Sequence, residues 1–183
     1  MNNIISKNKG FTIIETLVAI TILMISIAGP LVIAEKGYMA GVYAKDEVTA
    51  SYLAQDLLEF VKSVRDNNVL ASPPRNWLQN LTSGNSCNSI SSLCKIDTLT
   101  TDTSNPLSTL SVCSGETCRL YLSDNGYTTS SSGTTPTKFY RYFYIKANPS
   151  NPIYQAKLIV VVKWNNGMDH DVTYEDEIFN IIK

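Results

Sequence analysis

One stretch constrains this chain more than any other. Thr16 to Ala34 is a run of 19 residues without a charge, and the residue just before it is Glu15. About 20 predominantly apolar residues span a bilayer as a helix, so the run has the length of a membrane segment. A carboxylate at the centre of such a helix costs about 2.5 to 3.5 kcal/mol on insertion scales, and less near an end. Lys7 and Lys9 precede the run, and Glu35-Lys36 follows it. The basic flank is therefore expected in the cytoplasm, with everything after Ala34 outside. A cleaved secretory signal is the rival reading. Its apolar region would be shorter, about 7 to 15 residues, and would end at small residues. Glu15 would also interrupt it.

Past Glu35 the apolar pattern changes from all-round to one-sided. Ala50, Leu53, Leu57, Val61 and Val64 recur at steps of three and four, the spacing of one helix face. Asp46, Glu47, Gln55, Asp56, Glu59, Lys62 and Arg65 populate the other faces. The sequence thus reads as one long helix from Phe11 to about Asp66, roughly 84 Å at 1.5 Å per residue. That is longer than a domain of this size requires, so half of it is expected to protrude. Gly29-Pro30 interrupts the apolar half. Proline lacks an N–H and clashes with the preceding turn, so a kink or a locally melted turn is expected there. Asn67-Asn68 and Pro73-Pro74 are the stop signals.

Residues 70–137 read as loop-rich, with a hairpin expected where Val112 and Arg119-Leu120-Tyr121-Leu122 flank the Cys113–Cys118 turn, and breaker clusters at Ser83-Gly84-Asn85-Ser86, Thr100 to Pro106 and Thr128 to Pro136. The last of these is expected to be an exposed, flexible loop. Residues 138–183 read as β-sheet. Lys138 to Lys146 alternates aromatic and polar residues, Ala156 to Trp164 is rich in Ile and Val, and Val172 to Ile182 forms a last strand. Asn165-Asn166-Gly167 reads as a tight turn between the final two. The expected class is α+β: a long N-terminal helix packed on a C-terminal antiparallel sheet.

Four cysteines, Cys87, Cys94, Cys113 and Cys118, fall in the part expected outside. An even count in an exported domain points to disulfides. The spacings favour the local pairs Cys87–Cys94 and Cys113–Cys118, with the connectivity left open. A zinc site is the alternative, although neither pair has C-x-x-C spacing. The one histidine, His170, sits between Asp169 and Asp171 without a nucleophile motif nearby and reads as a solvated loop residue. Asp169, Asp171, Glu175, Asp176 and Glu177 form an acidic cluster. It matches no calcium loop and reads as a charged sheet edge that discourages edge pairing. No catalytic motif, cofactor or metal is expected. The net charge of −1 gives no basic surface pointing to nucleic acid.

The junction at Lys9-Gly10-Phe11-Thr12-Ile13-Ile14-Glu15, followed by the charge-free run, resembles the type IV pilin family, including the pseudopilins of related secretion and DNA-uptake machines. The resemblance is close over about 25 residues and looser over the rest, where the helix-plus-sheet layout is pilin-like. It implies that residues 1–10 are a leader cut after Gly10 by a prepilin peptidase on the cytoplasmic side. It implies that Phe11 becomes an N-methylated first residue. Residues 11–34 would then be the transmembrane and filament-core helix, and residues 35–183 the extracytoplasmic domain. Glu15 would pair with the ammonium of its own or a neighbouring subunit, fixing register between otherwise apolar helices. Gly29 and Pro30 would mark the place where helicity is lost in the filament. Major pilins often close a C-terminal loop with a disulfide, whereas here both cysteine pairs lie mid-chain, which suggests a minor pilin or pseudopilin. The implied partners are other pilin subunits, the peptidase/methyltransferase, and membrane lipid before assembly. The implied location is the bacterial inner membrane, single-pass, and then an extracytoplasmic filament. The alternative is a membrane-anchored extracellular binding module that never polymerises.

Overall fold

A computed structural model describes residues 10–73, 75–82, 87–102, 104–105, 108–151 and 153–180. The leader up to Lys9, the run Ser83–Ser86, Pro74 and the expected strand end at Ile182 lie outside the described residues. The chain divides into two compact units, one ending at Ala44 and one beginning at Lys45.

One helix, α1, runs Ile13–Leu70. It starts two residues later than expected and ends a few residues beyond Asp66. The helix continues through Gly29-Pro30, so of the kink or locally melted turn expected there the melted turn is not formed. Proline's missing donor removes one intrahelical bond. Within the first unit every described side chain is exposed except Val42, which is half-buried. By length and composition, α1 is apolar enough to cross a membrane.

The second unit is an α+β domain of pilin-like architecture. Its sheet contains, among the described residues, β1 (Cys94–Lys95), β2 (Ser111–Val112), β3 (Arg119–Ser123), β4 (Gly126–Thr128), β5 (Thr135–Ala147), β6 (Gln155–Asn165) and β7 (Asp169–Phe179). The order along one path is β2-β1-β5-β3-β4, and β6 lies between β5 and β7. All pairings are antiparallel. The three long strands make the expected meander. The final strand begins at Asp169, earlier than the Val172 expected, because Asn165 pairs with Asp169 across a three-residue turn. Gly167 in that turn has φ +106°, which a side chain would strain.

The helical stripe packs where the periodicity puts it. Ala50, Leu57 and Val61 are fully buried, and Leu53 and Val64 nearly so. They join Phe139, Phe143 and Ile145 of β5, Leu158, Val160, Val162 and Trp164 of β6, and Ile178 of β7 in one core. The alternation of β5 sends Phe139, Arg141, Phe143 and Ile145 to the buried side. Arg141 is thus a buried guanidinium amid apolar neighbours. It donates to the Asp56 carboxylate at 2.8 Å, the Leu53 carbonyl at 3.1 Å and Thr98 Oγ1 at 3.0 Å. Burial lowers its pKa, and the hydrogen bond and charge of Asp56 partly offset that.

Several expected surface positions are not on the surface. Asp46, assigned to a solvent face of the helix, is buried at 5 % exposure. Within the Thr128 to Pro136 segment, Thr128 ends β4 and is buried and β5 begins at Thr135, whereas residues 130–133 between the strands are exposed as expected. Thr128 Oγ1 donates to the buried Asp97 carboxylate, which also accepts amide N–H groups from Leu99 (3.0 Å), Thr100 (3.4 Å) and Thr129 (3.2 Å). His170 stands half-buried in β7 rather than in a solvated loop, stacked on Trp164 at 5.3 Å.

Candidate functional site

The N-terminal junction is built by a change of conformation. Gly10, Phe11 and Thr12 are not helical, and α1 begins at Ile13. Gly10 and Phe11 are exposed, Phe11 by 80 %. A Cβ built on Gly10 meets nothing within 4 Å. Among the described residues a glycine there answers no crowding.

Thr12 caps the helix. Its hydroxyl oxygen accepts the Glu15 backbone N–H at 3.3 Å, and its carbonyl accepts the Thr16 N–H at 3.2 Å. Thr12-x-x-Glu15 has the spacing of a capping box, a signal that the periodicity reading passed over. Glu15 stands in the first turn, where the helix dipole favours a negative charge by about 0.3–1 kcal/mol. That recovers only part of the cost of placing a carboxylate near lipid depth. Among the described residues no cation forms an ion pair with it. The other polar side chains of the run satisfy themselves. Thr16, Thr21 and Ser26 each donate to a carbonyl one turn earlier, Ile13, Val18 and Ile22, at 2.8 Å. Glu15 is therefore the one polar side chain in the apolar segment whose demand the helix does not meet.

This is the segment that a known sequence model recognises. The prokaryotic N-terminal methylation motif matches residues 5–29. The chain carries the type IV prepilin signature. That signature points to a structural protein rather than an enzyme, and to a precursor processed by prepilin peptidase and assembled with other pilins. The exposed apolar helix and the signature together fit anchoring in the inner membrane. Neither a curated protein nor a solved structure matches the chain.

The remaining candidate residues lie in the second unit. Cys87 is bonded to Cys94 and Cys113 to Cys118, with Cα separations of 5.2 and 5.1 Å. Bonded sulfurs are not the thiolates a zinc site requires. The acidic cluster is divided by strand alternation. Asp176 pairs with Lys62 of α1, whereas Glu175 and Glu177 meet Lys157 and Gln155 of β6 at 2.9 and 2.8 Å. Among the described residues no group of three or more His, Cys, Asp or Glu is placed to hold a metal. A cleft of about 550 Å³ opens beside Tyr140, Tyr142, Lys163 and Asp171. Its polar rim is internally engaged: the Tyr140 hydroxyl donates to Glu116 at 2.7 Å and accepts from Arg119.

Proposed function

We propose that the chain is the precursor of a filament subunit, a minor pilin or pseudopilin of a type IV pilus, a type II secretion pseudopilus or a DNA-uptake filament. In this reading prepilin peptidase removes residues 1–10 at the cytoplasmic face and the same enzyme methylates Phe11. Residues 11–34 hold the subunit in the inner membrane and then enter the filament core. Residues 35–183 form the extracytoplasmic domain. Gly29 and Pro30 give the helix a place to yield when it leaves the bilayer, since Pro30 already lacks one backbone bond.

The observation that carries this reading is the carboxylate of Glu15, which has no ion-pair partner among the described residues, in a segment whose other polar side chains are all satisfied. A lone buried charge and a lone buried ammonium are each costly, and pairing them recovers much of that cost. The methylated ammonium of a neighbouring subunit's first residue supplies the partner, and the pairing fixes the stagger between apolar helices. A mere anchor has no use for a carboxylate there.

Two measurements test the reading. Intact-mass spectrometry of membrane-extracted protein is expected to show loss of residues 1–10 and gain of one methyl group. Retention of the leader would overturn it. Glu15→Ala is expected to reach the membrane at the wild-type level yet be missing from sheared filaments. Incorporation at the wild-type level would instead leave an anchored domain that does not polymerise through this charge.

A further inference from the structure

Asp46, Lys138 and Asn166 come from three separate elements and meet at one oxygen. Lys138 Nζ donates to Asp46 Oδ2 at 2.6 Å, and Asn166 Nδ2 reaches the same oxygen at 3.5 Å. Lys138 belongs to β5 and Asn166 to the β6–β7 turn, whose flanking residues Asn165 and Asp169 are paired. Asp46 comes from α1 and is buried. The other end of the amide is held as well: Asn166 Oδ1 lies 3.0 Å from His170 Nε2. Since the Asp46 carboxylate takes the amide's donor side, Oδ1 faces His170 and accepts from it.

The surroundings are aromatic. Tyr127 packs edge-on against Phe139 at 6.0 Å, Phe139 lies 6.4 Å from Trp164, and Trp164 stacks on His170. Lys138 Nζ lies 5.9 Å from the Phe139 ring centre. Burial raises the Tyr127 pKa, and the negative charge of Asp46 raises it further, so the phenol stands in the field of that carboxylate. An amine, an amide carbon and a shared buried carboxylate, with a donor on the amide oxygen, are the parts an aminolysis needs.

We propose that Lys138 and Asn166 become joined by an intramolecular isopeptide bond, with Asp46 as the proton carrier. The Asp46 carboxylate takes a proton from the Lys138 ammonium and frees its lone pair. Nζ attacks Cγ of Asn166, a C–N bond forms, and the carbonyl electron pair moves onto Oδ1, where His170 donates a hydrogen bond. Asp46 gives its proton to Nδ2, then takes a second proton from Nζ. The Cγ–Nδ2 bond breaks and ammonia leaves, removing that second proton as ammonium. A lysine ammonium and an amide thus become a secondary amide and one ammonium ion, with no oxidant or further reactant. The bond ties β5 to the tip of the β6–β7 hairpin, beside α1. It is independent of the filament reading and needs only the second unit.

The test is peptide mapping of the full chain, extracted from membranes in detergent, reduced and digested. The expected result is a branched peptide containing both Lys138 and Asn166, lighter than its two parts by one ammonia. It should disappear in Lys138→Arg, which keeps the positive charge. Asn166-Gly167 can also lose ammonia by closing on its own backbone. That product is a linear peptide and persists in Lys138→Arg, so finding it alone would overturn the proposal. Lys138 and Asn166 in separate peptides of full mass would do the same. A link from Lys138 to Asp46, recognised by loss of water, would also refute it. In Asp46→Asn, with both disulfides still formed, the branched peptide should be absent. Its persistence there would refute the role given to Asp46.

Discussion

Asp97 shows how a single buried carboxylate sets a stability limit. Burial alone would raise its pKa, yet the Thr128 hydroxyl and the amides of Leu99, Thr129 and Thr100 together hold it below the ordinary carboxylate value. A group whose pKa is depressed by folding stabilises the fold fully above its unfolded value, about 3.9 for Asp. That stabilisation is lost as pH falls through the folded value. The resistance of the full chain to urea in detergent is expected to fall as pH drops below about 4, and Asp97→Asn should flatten that acid limb while lowering stability at neutral pH. An unchanged acid limb in Asp97→Asn would show that other carboxylates carry it. Residues of this kind were not legible in the sequence. Asp97 meets Thr128 across a sequence separation of 31, and Asp46 meets Lys138 and Asn166 across separations of 92 and 120. Such partners leave no local pattern. Glu15 was legible for the opposite reason: a lone acid against an uncharged run is conspicuous without knowing any contact.

At the level of elements, legibility followed length. The stripe Ala50 to Val64 and the 11- to 13-residue strands β5 and β6 repeat their pattern often enough to declare a period. The first four strands have two to five residues, too short for alternation to show. Their segment therefore read as loop apart from one hairpin of Val112 with Arg119–Leu122; both pieces are strands, but β2 pairs with β1 and β3 with β4 and β5, so that hairpin is not formed. The same helix changes its role along its length, and a pair of substitutions separates the two. Leu57 is fully buried in the domain core, whereas Leu31 is 66 % exposed in the first unit. Leu57→Ala is expected to lower the unfolding free energy by about 2 to 5 kcal/mol, through lost transfer energy and a residual cavity. Leu31→Ala should change it by less than about 0.5 kcal/mol, as surface substitutions usually do. Denaturant titration in detergent measures both, and equal effects would contradict the assignment of the core to the later half of α1.

On the scale of the whole molecule, the class was legible because the chain consists of two chemically unlike parts. One is apolar on every side and finds its burial outside itself. The other has a one-sided helix face and alternating strands that bury each other. The described chain divides accordingly at Ala44 and Lys45, some ten residues beyond the end of the charge-free run. A chain beginning at Lys45 retains every residue of the buried core and all four cysteines. Cutting there also leaves Asp46 in the first turn of the shortened helix, where a negative charge is favoured. Residues 45–183, exported to an oxidising compartment, are therefore expected to fold in water without detergent and to contain both disulfides. Each short loop adds about 2 kcal/mol in the chain-entropy account. Unfolding of this fragment should match the domain transition of the full chain in detergent to within about 0.5 kcal/mol, because distant independent parts contribute additively. The full chain without detergent should aggregate through its uncovered apolar helix. If the fragment fails to fold while the full chain in detergent unfolds cooperatively, the first unit supplies structure to the second, and the division at Lys45 is not a boundary in stability.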